Sequence, residues 1–227
     1  MKKVIYLGLL ILSQISVAQD KKDDTSQDRC QFYVGVGAGI NSHYKIDDLL
    51  QASGMPQPAT TLPDFSFGVN FLTKNWSIDE EIASNGFKKT NVNNSVMGGR
   101  FSFRMRGHYN FINNEKMQFS GGLNLAYATN DLSIYANNNQ VDLNNMAASS
   151  ASYIRLRNGM LYTGPSIGFG IKKKNNLICR LNVGYEVAIL SGKWKSDYAN
   201  VSNSINEVGQ NRLMVGVIAY IGKSKRR

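Results

Sequence analysis

Residues 101–111 (FSFRMRGHYNF) alternate between two kinds of side chain. The odd-numbered positions are apolar or small, whereas the even-numbered positions are polar and include Arg104 and Arg106. Successive side chains of a β-strand point to opposite faces, so this period of two predicts a strand with one apolar face and one charged face. The apolar face of such a strand lies inside a soluble barrel but outside a membrane barrel, and the segment alone leaves both folds open.

Seven further segments show the same alternation. With the first, the predicted strands cover residues 30–40, 65–72, 76–83, 101–111, 118–128, 161–171, 177–189 and 212–221. The faces opposite their apolar sides combine glycines with acidic and basic residues, a mixture that suits the crowded interior of a narrow barrel. In water, such glycines would weaken the strands without a gain in packing. The pattern predicts an all-β, eight-stranded antiparallel barrel.

The connections between these strands alternate in length. Three are short, at residues 73–75, 112–116 and 172–176, and four are long, at residues 41–64, 84–100, 130–160 and 191–211. Short periplasmic turns and long extracellular loops are typical of transmembrane β-barrels. Trp76, Tyr109 and Phe111 also fall near strand ends, where a membrane interface would hold their rings. The membrane barrel is therefore favoured over the soluble one.

The first residues, MKKVIYLGLLILSQISVAQD, have the three parts of a secretory signal, with cleavage predicted after Ala18. Their apolar run is too short to cross a bilayer of about 30 Å as a helix. We therefore expect a signal peptide at 1–18, a periplasmic segment at 19–29, an outer-membrane barrel at 30–222 and a basic tail at 223–227. The predicted location is the bacterial outer membrane.

The chain carries 26 Lys and Arg against 16 Asp and Glu, a formal net charge of +10. A basic exported protein is suited to phosphate-bearing head groups, so the expected partners include outer-membrane lipids, lipopolysaccharide among them. The basic residues are scattered and accompany no nucleic-acid-binding motif, so nucleic acid is not an expected partner.

The polar faces of the predicted strands carry charges of both signs. In a hairpin of the third and fourth strands, one register places Glu81 opposite Arg104 and Asp79 opposite Arg106. Unpaired buried charges are costly, so we expect these pairs to meet in the lumen. The full predicted lumenal network is Asp79, Glu81, Arg104, Arg106, Arg180, Glu186 and Arg212. An eight-stranded barrel has interior space for little more than its own side chains, which predicts a plugged lumen.

The segment FSFGVNFLTKNWSIDEEIASNGFKK resembles a recurrent hairpin of the outer-membrane barrels called porin-family or PorT-like proteins, with Trp76, Ile78, Glu81 and Gly86 at the matching positions. The resemblance implies an eight-stranded barrel. Members of these families mostly have no defined role, although some take part in secretion machinery and others in adhesion.

Two groups of residues invite a chemical interpretation. His108 and Ser77 would face each other in the lumen, but a Ser–His catalytic pair also needs an orienting acid and an oxyanion site. His43, Asp47 and Asp48 could bind a metal, yet their spacing matches no specific template. We expect no enzymatic activity, no cofactor and no metal, with His108 in a hydrogen-bonding role.

The predicted loops contain aromatic and arginine side chains, which are common binding anchors. These candidates are Tyr135, Tyr153, Arg155, Arg157, Trp194 and Tyr198. The leading hypothesis is a non-enzymatic envelope protein that binds other envelope proteins through its extracellular loops, in secretion machinery or adhesion. Interfacial anchoring or plain solvation of these side chains is the alternative. Other functions left open are a narrow channel or ligand conduit and a lipid-modifying enzyme with His108 as its candidate residue.

Overall fold

The structure is a computed structural model and describes residues 29–137, 153–173 and 176–221. Its strands are β1 (Arg29–Asn41), β2 (Thr61–Leu72), β3 (Trp76–Thr90), β4 (Asn94–Asn113), β5 (Met117–Ala136), β6 (Tyr153–Lys173), β7 (Asn176–Ser191) and β8 (Asn211–Ile221), and its helix is α1 (Lys45–Ala52). Each strand pairs antiparallel with the next, and β8 pairs with β1. The predicted eight-stranded antiparallel barrel is confirmed. The predicted signal peptide and basic tail lie outside the described residues.

The two faces of the strands lie as the alternation predicts. Phe101 is 55% exposed on the outward face, whereas Arg104 and Arg106 are 4% and 5% exposed in the lumen. Apolar side chains from every strand share the outward face, among them Val36, Phe67, Ile82, Phe103, Leu125, Ile167, Leu181 and Val217. Soluble monomers rarely expose a continuous apolar surface of this extent. Within the described residues, no helix is long and apolar enough to cross a membrane.

Two of the predicted long loops are wrong, because strands run through them. β3 and β4 continue in register from Asn85↔Arg100 to Thr90↔Ser95, so only residues 91–93 connect them. The glycines in this stretch resemble loop residues in the sequence. Instead they make room: a Cβ on Gly98 would lie 2.2 Å from the ring of Phe87, which packs directly over it.

Residues 129–136 of β5 and 153–159 of β6 also pair as strand, where the sequence predicted a loop over 130–160. We call the continuation of β3 to β6, residues 85–90, 94–100, 129–136 and 153–159, the wall extension. It lies at the loop end of the barrel, opposite the turn end that holds the connections at 73–75 and 114–116. The connection between β7 and β8 is long, as predicted.

Helix α1 lies in the predicted loop 41–64 and packs across the loop end. Ile46 and Leu50, one turn apart, share its buried face. They contact Val96 of the wall extension and Trp194 of the β7–β8 connection. The carboxylate of Glu207 accepts hydrogen bonds from the backbone N of Lys45 (2.8 Å) and Ile46 (3.1 Å) and from Trp194 Nε1 (2.9 Å).

Helix N-termini leave backbone N–H groups without intrahelical partners, and a carboxylate satisfies them and complements the helix dipole. Glu207, only 1% exposed, therefore joins the helix of one long connection to the other. We call α1 together with Trp194 and Glu207 the cap.

At Gly122, β5 approaches β4 so closely that a side chain would not fit, and a substitution there tests this packing. A Cβ there would lie 1.9 Å from the carbonyl oxygen of Gly107, which cannot move without breaking the β4–β5 ladder. Gly122→Ala should prevent closure of the barrel, measured as loss of the faster-migrating unheated form on electrophoresis after refolding in detergent. Gly107→Ala is the matched control, because its Cβ would meet nothing within 4 Å. Equal refolding of both variants would contradict this account.

Candidate functional site: the closed lumen and its cap

The lumenal charges of β3 and β4 meet in the predicted register, Asp79↔Arg106 and Glu81↔Arg104. Arg106 Nη1 lies 2.9 Å from Asp79 Oδ2, and Arg104 contacts Glu81 directly. Arg180, from the opposite side of the barrel, also binds Asp79. One carboxylate therefore holds two arginines, and it ties β3 to β4 and β7.

Glu186 is the second centre of the network. Its Oε2 lies 2.7 Å from Arg212 Nε and 2.6 Å from Arg212 Nη2, and its Oε1 accepts a 2.9 Å hydrogen bond from Asn124. Arg104 Nε lies 3.8 Å from the same carboxylate and links the two centres. The structure thus brings all seven predicted lumenal residues into one network.

Asp64 belongs to this network and was missed by the sequence analysis. Its carboxylate lies 3.5 Å from Arg104 Nη2 and accepts a 3.3 Å hydrogen bond from Asn85. The predicted second strand began at residue 65, but β2 begins at Thr61. Asp64 lies an even number of residues before Ser66 and Asn70, which face the lumen, so the period of two could have placed it on the same face.

These side chains fill the middle of the barrel. The cavity left among Asp64, Glu81, Arg104 and Arg106 measures about 30 Å³. A single enclosed water needs roughly 10–15 Å³, so the space accommodates about two waters. In the described part of the barrel, the ion pairs occupy the path that a solute would have to follow.

His108 belongs to a hydrogen-bonded chain of His, Ser and Asn side chains beside the ion pairs. It is the register partner of Ser77, as predicted, but its Nδ1 lies 3.0 Å from Ser120 Oγ and its Nε2 lies 2.6 Å from Ser166 Oγ. Ser166 in turn donates to Asn124 at 2.6 Å. The imidazole thus links serines of β5 and β6, and no carboxylate among the described residues is within hydrogen-bonding distance of its nitrogens.

Four predicted binding anchors share one surface, although they lie on strands and not on loops. Tyr135, Tyr153, Arg155 and Arg157 have the outward parity of β5 and β6 in the wall extension, with Tyr135↔Tyr153 as register partners. Tyr198, from the β7–β8 connection, stacks on Tyr153 with ring centroids 6.2 Å apart. This outward face of the wall extension is the candidate interaction surface.

Trp194 was wrongly predicted as an exposed anchor. It is 5% exposed, because its ring packs beneath α1 and its Nε1 donates to Glu207. The sequence gives no local sign of this, since the contact joins two connections that are far apart along the chain. Trp194 therefore belongs to the cap and is not available to a partner.

The arginines of the candidate surface are already engaged. Asp131 Oδ1 lies 2.8 Å from Arg157 Nε and 3.3 Å from Arg155 Nη2, and Asp197 binds Arg157 at 2.9 Å. The Tyr198 hydroxyl accepts from the backbone N of Arg155 and donates to the Tyr153 carbonyl oxygen at 3.1 Å. The β7–β8 connection thereby covers the edge of β6.

The acidic residues of the cap are arranged around His43. Its Nδ1 lies 3.3 Å from Asp47 Oδ2, and its Nε2 lies 2.9 Å from Asp48 Oδ1. Burial raises the pKa of Asp47 to about 6, and the hydrogen bond to Asp48 raises the pKa of His43. Among residues 29–137, 153–173 and 176–221, no cluster of three or more His, Cys, Asp or Glu is arranged to hold a metal.

Comparison with protein families and with curated proteins gives no match. Among solved structures, the chain is similar to Ail, the attachment invasion locus protein of Yersinia pestis, in complex with the heparin analogue sucrose octasulfate (10% identity, 86% of this chain and 99% of that chain, TM-score 0.47). It is also similar to Neisserial surface protein A, with 13% identity over 83% of this chain and 96% of that chain and a TM-score of 0.36. A third similar structure is CarO of Acinetobacter baumannii, with 11% identity over 82% of this chain and 97% of that chain and a TM-score of 0.31. At such identities and scores, function must be inferred from the chain's own residues.

Asp79 and Asp131 offer a matched pair for testing the network, because each carboxylate binds two arginines. Asp79 does so in the lumen, whereas Asp131 does so at the surface. Asp79→Asn leaves two buried guanidinium groups without their carboxylate and should lower the free energy of unfolding by about 3–5 kcal/mol. Asp131→Asn should cost about 1 kcal/mol or less. Urea unfolding of both refolded variants measures the difference, and equal losses would refute a dominant role for the lumenal pairs.

The cap should be more stable in acid. Asp47 and His43 both bind a proton more tightly in the folded cap than in the unfolded chain, so their contributions are complete at low pH. The Asp47 contribution is lost as the pH rises through about 6, and the His43 contribution is lost at higher pH. In a Trp76→Phe background, the fluorescence of Trp194 should report cap unfolding at lower urea at pH 8 than at pH 4.

Asp47→Asn should flatten the part of this dependence below pH 6, because the titrating carboxyl is removed. Glu115→Gln, at the turn end, is the control that removes a carboxylate without touching the cap. A pH profile that Asp47→Asn leaves unchanged would show that the titrating group lies elsewhere.

Proposed function

We propose that the chain is a non-enzymatic barrel of the bacterial outer membrane, with the turn end in the periplasm and the loop end outside. The outward apolar face supports this placement, since a transmembrane strand needs about 9–11 residues and the apolar alternation of β4 covers residues 101–111. The predicted export signal and the predicted cleavage after Ala18 agree with it. In a bilayer, backbone groups need partners within the protein, and closure of the barrel gives each described strand a neighbour on both sides.

The protein acts through its outer end and not by transport. The observation that carries this proposal is the contrast between a lumen filled with ion pairs and a wall that continues beyond the apolar outward face of the strands. β4 and β5 each have 20 residues, about twice the length that a bilayer requires. Strands of this length hold the candidate interaction surface on a rigid support beyond the lipid.

The proposed first partner is the phosphate-bearing lipopolysaccharide of the outer leaflet. Lys88 of the wall extension and Lys193 and Lys195 of the β7–β8 connection are exposed at the loop end. The ammonium group of Lys88 lies 5.8 Å from the ring centroid of Tyr135, which positions it near the outward face. Basic side chains close to an anionic surface each contribute about 1 kcal/mol to attraction.

The aromatic part of the same surface is proposed to bind another envelope protein. Tyr135, Tyr153 and Tyr198 offer large rings whose positions are fixed by strand pairing and stacking, so little side-chain entropy is lost on binding. A role in adhesion or in secretion machinery would use this surface. Residues 138–152, which lie next to it in the chain, are outside the described part.

The lipid contact is tested with a charge variant at each end of the barrel. Lys88→Gln combined with Lys193→Gln and Lys195→Gln should reduce the lipopolysaccharide retained per refolded barrel on a lipopolysaccharide-coated resin. Lys74→Gln combined with Lys116→Gln removes charge from the turn end and should leave retention unchanged. Equal retention by all three proteins would remove the proposed contact.

Planar-bilayer recordings of the wild-type barrel should stay electrically silent, and steady conductance would contradict the closed lumen.

A further inference from the structure

Arg100 differs from the other buried lumenal arginines in its contacts. It lies on β4 where the barrel meets the wall extension and is 5% exposed. Its Nε donates to Asn130 Oδ1 at 2.9 Å, and its Nη2 donates to Asn41 Oδ1 at 2.9 Å and to the Tyr44 hydroxyl. All three acceptors are neutral oxygens.

Each of the other four arginines that are buried among the described residues lies within 4.0 Å of at least one carboxylate. These are Arg104, Arg106, Arg180 and Arg212. Among the described residues Arg100 forms no such ion pair, and its Nη1 has no hydrogen-bond partner there. Asp64 attracts this charge from beyond 4.0 Å, but its carboxylate pairs with Arg104. A buried charge without a close counterion is costly, so the described side chains leave Arg100 without an ion-pair partner and with one unsatisfied N–H donor.

Arg100 lines a cavity of about 40 Å³ that lies between the cap and the wall. Apolar residues, including Ile46, Leu62 and Phe87, form much of its lining, and Asn85 and Asn130 line it beside Arg100. Asp131 also lines it, but that carboxylate is held by Arg155 and Arg157. At roughly 10–15 Å³ for a water, the space suits one small ion with a water or two beside it.

We propose that Arg100 binds a monovalent inorganic anion of about the size of chloride in this cavity. One unpaired positive charge matches one negative charge, whereas a divalent oxyanion would be larger and would leave a negative charge buried. Tyr44 and Ile46, at the start of α1, and Leu62 of β2 share the site with Arg100, so the bound anion holds the cap against the barrel. The site goes beyond the proposed surface function and does not depend on it.

Chloride-35 NMR of the refolded full-length barrel, in gluconate buffer of constant ionic strength, tests the site in solution. Wild-type protein should broaden the chloride line, and added bromide should remove the excess width by competition. Arg100→Gln should lose the excess broadening, whereas Lys74→Gln, which removes an exposed positive charge at the turn end, should keep it. Crystals grown in bromide should give an anomalous peak within hydrogen-bonding distance of Arg100.

Ala59→Leu provides a second variant, because Ala59 lines the cavity and a larger side chain would fill it without altering the guanidinium group. It should lose the excess broadening even where Arg100→Gln fails to refold. The proposal is overturned by wild-type protein that does not broaden the line, by broadening that survives in Ala59→Leu or Arg100→Gln, or by a bromide-grown crystal with only water in the cavity.

Discussion

The pairing of acidic and basic side chains inside the barrel is the interaction on which the rest of the structure depends. A narrow closed sheet with apolar residues outside has to place its polar residues inside, where charged groups are stable only with partners. Asp79 and Glu186 each gather arginines from different strands, so the same contacts neutralise charge and fix which strands face each other. Closure of the sheet acts in the same direction, because the pairing of β8 with β1 gives each described strand a partner on both sides.

Closure also explains the cap. Since β8 pairs with β1, the connection that follows β1 and the connection that precedes β8 emerge side by side. α1 comes from the first of these and Glu207 from the second, so a carboxylate that is 162 residues away along the chain can bind the helix N-terminus. The helix N-terminus from one connection and the Glu207 carboxylate from the other thus satisfy each other, and Trp194 donates to the same carboxylate.

Much of the fold could be predicted from the sequence, because a period of two identifies both the strands and the face to which each side chain belongs. This period, together with the register of a hairpin, predicted that Asp79 lies opposite Arg106. The ends of the strands did not follow, since Gly98 looks like a loop residue until Phe87 is seen to pack on it. The burial of Trp194 and the isolation of Arg100 were also beyond reach, because both depend on contacts between segments that are distant in the sequence.

The hydroxyl of Tyr198 has a consequence for contacts between copies of the chain. Past its pairing with β7, the rim of β6 would present backbone groups to any neighbouring strand. Tyr198 occupies the amide of Arg155 and the carbonyl of Tyr153, and Lys195 occupies both groups of Arg157. A second copy of the chain therefore finds the carbonyl of Tyr153, the amide of Arg155 and both backbone groups of Arg157 already bonded, and it cannot extend the sheet at these positions of β6.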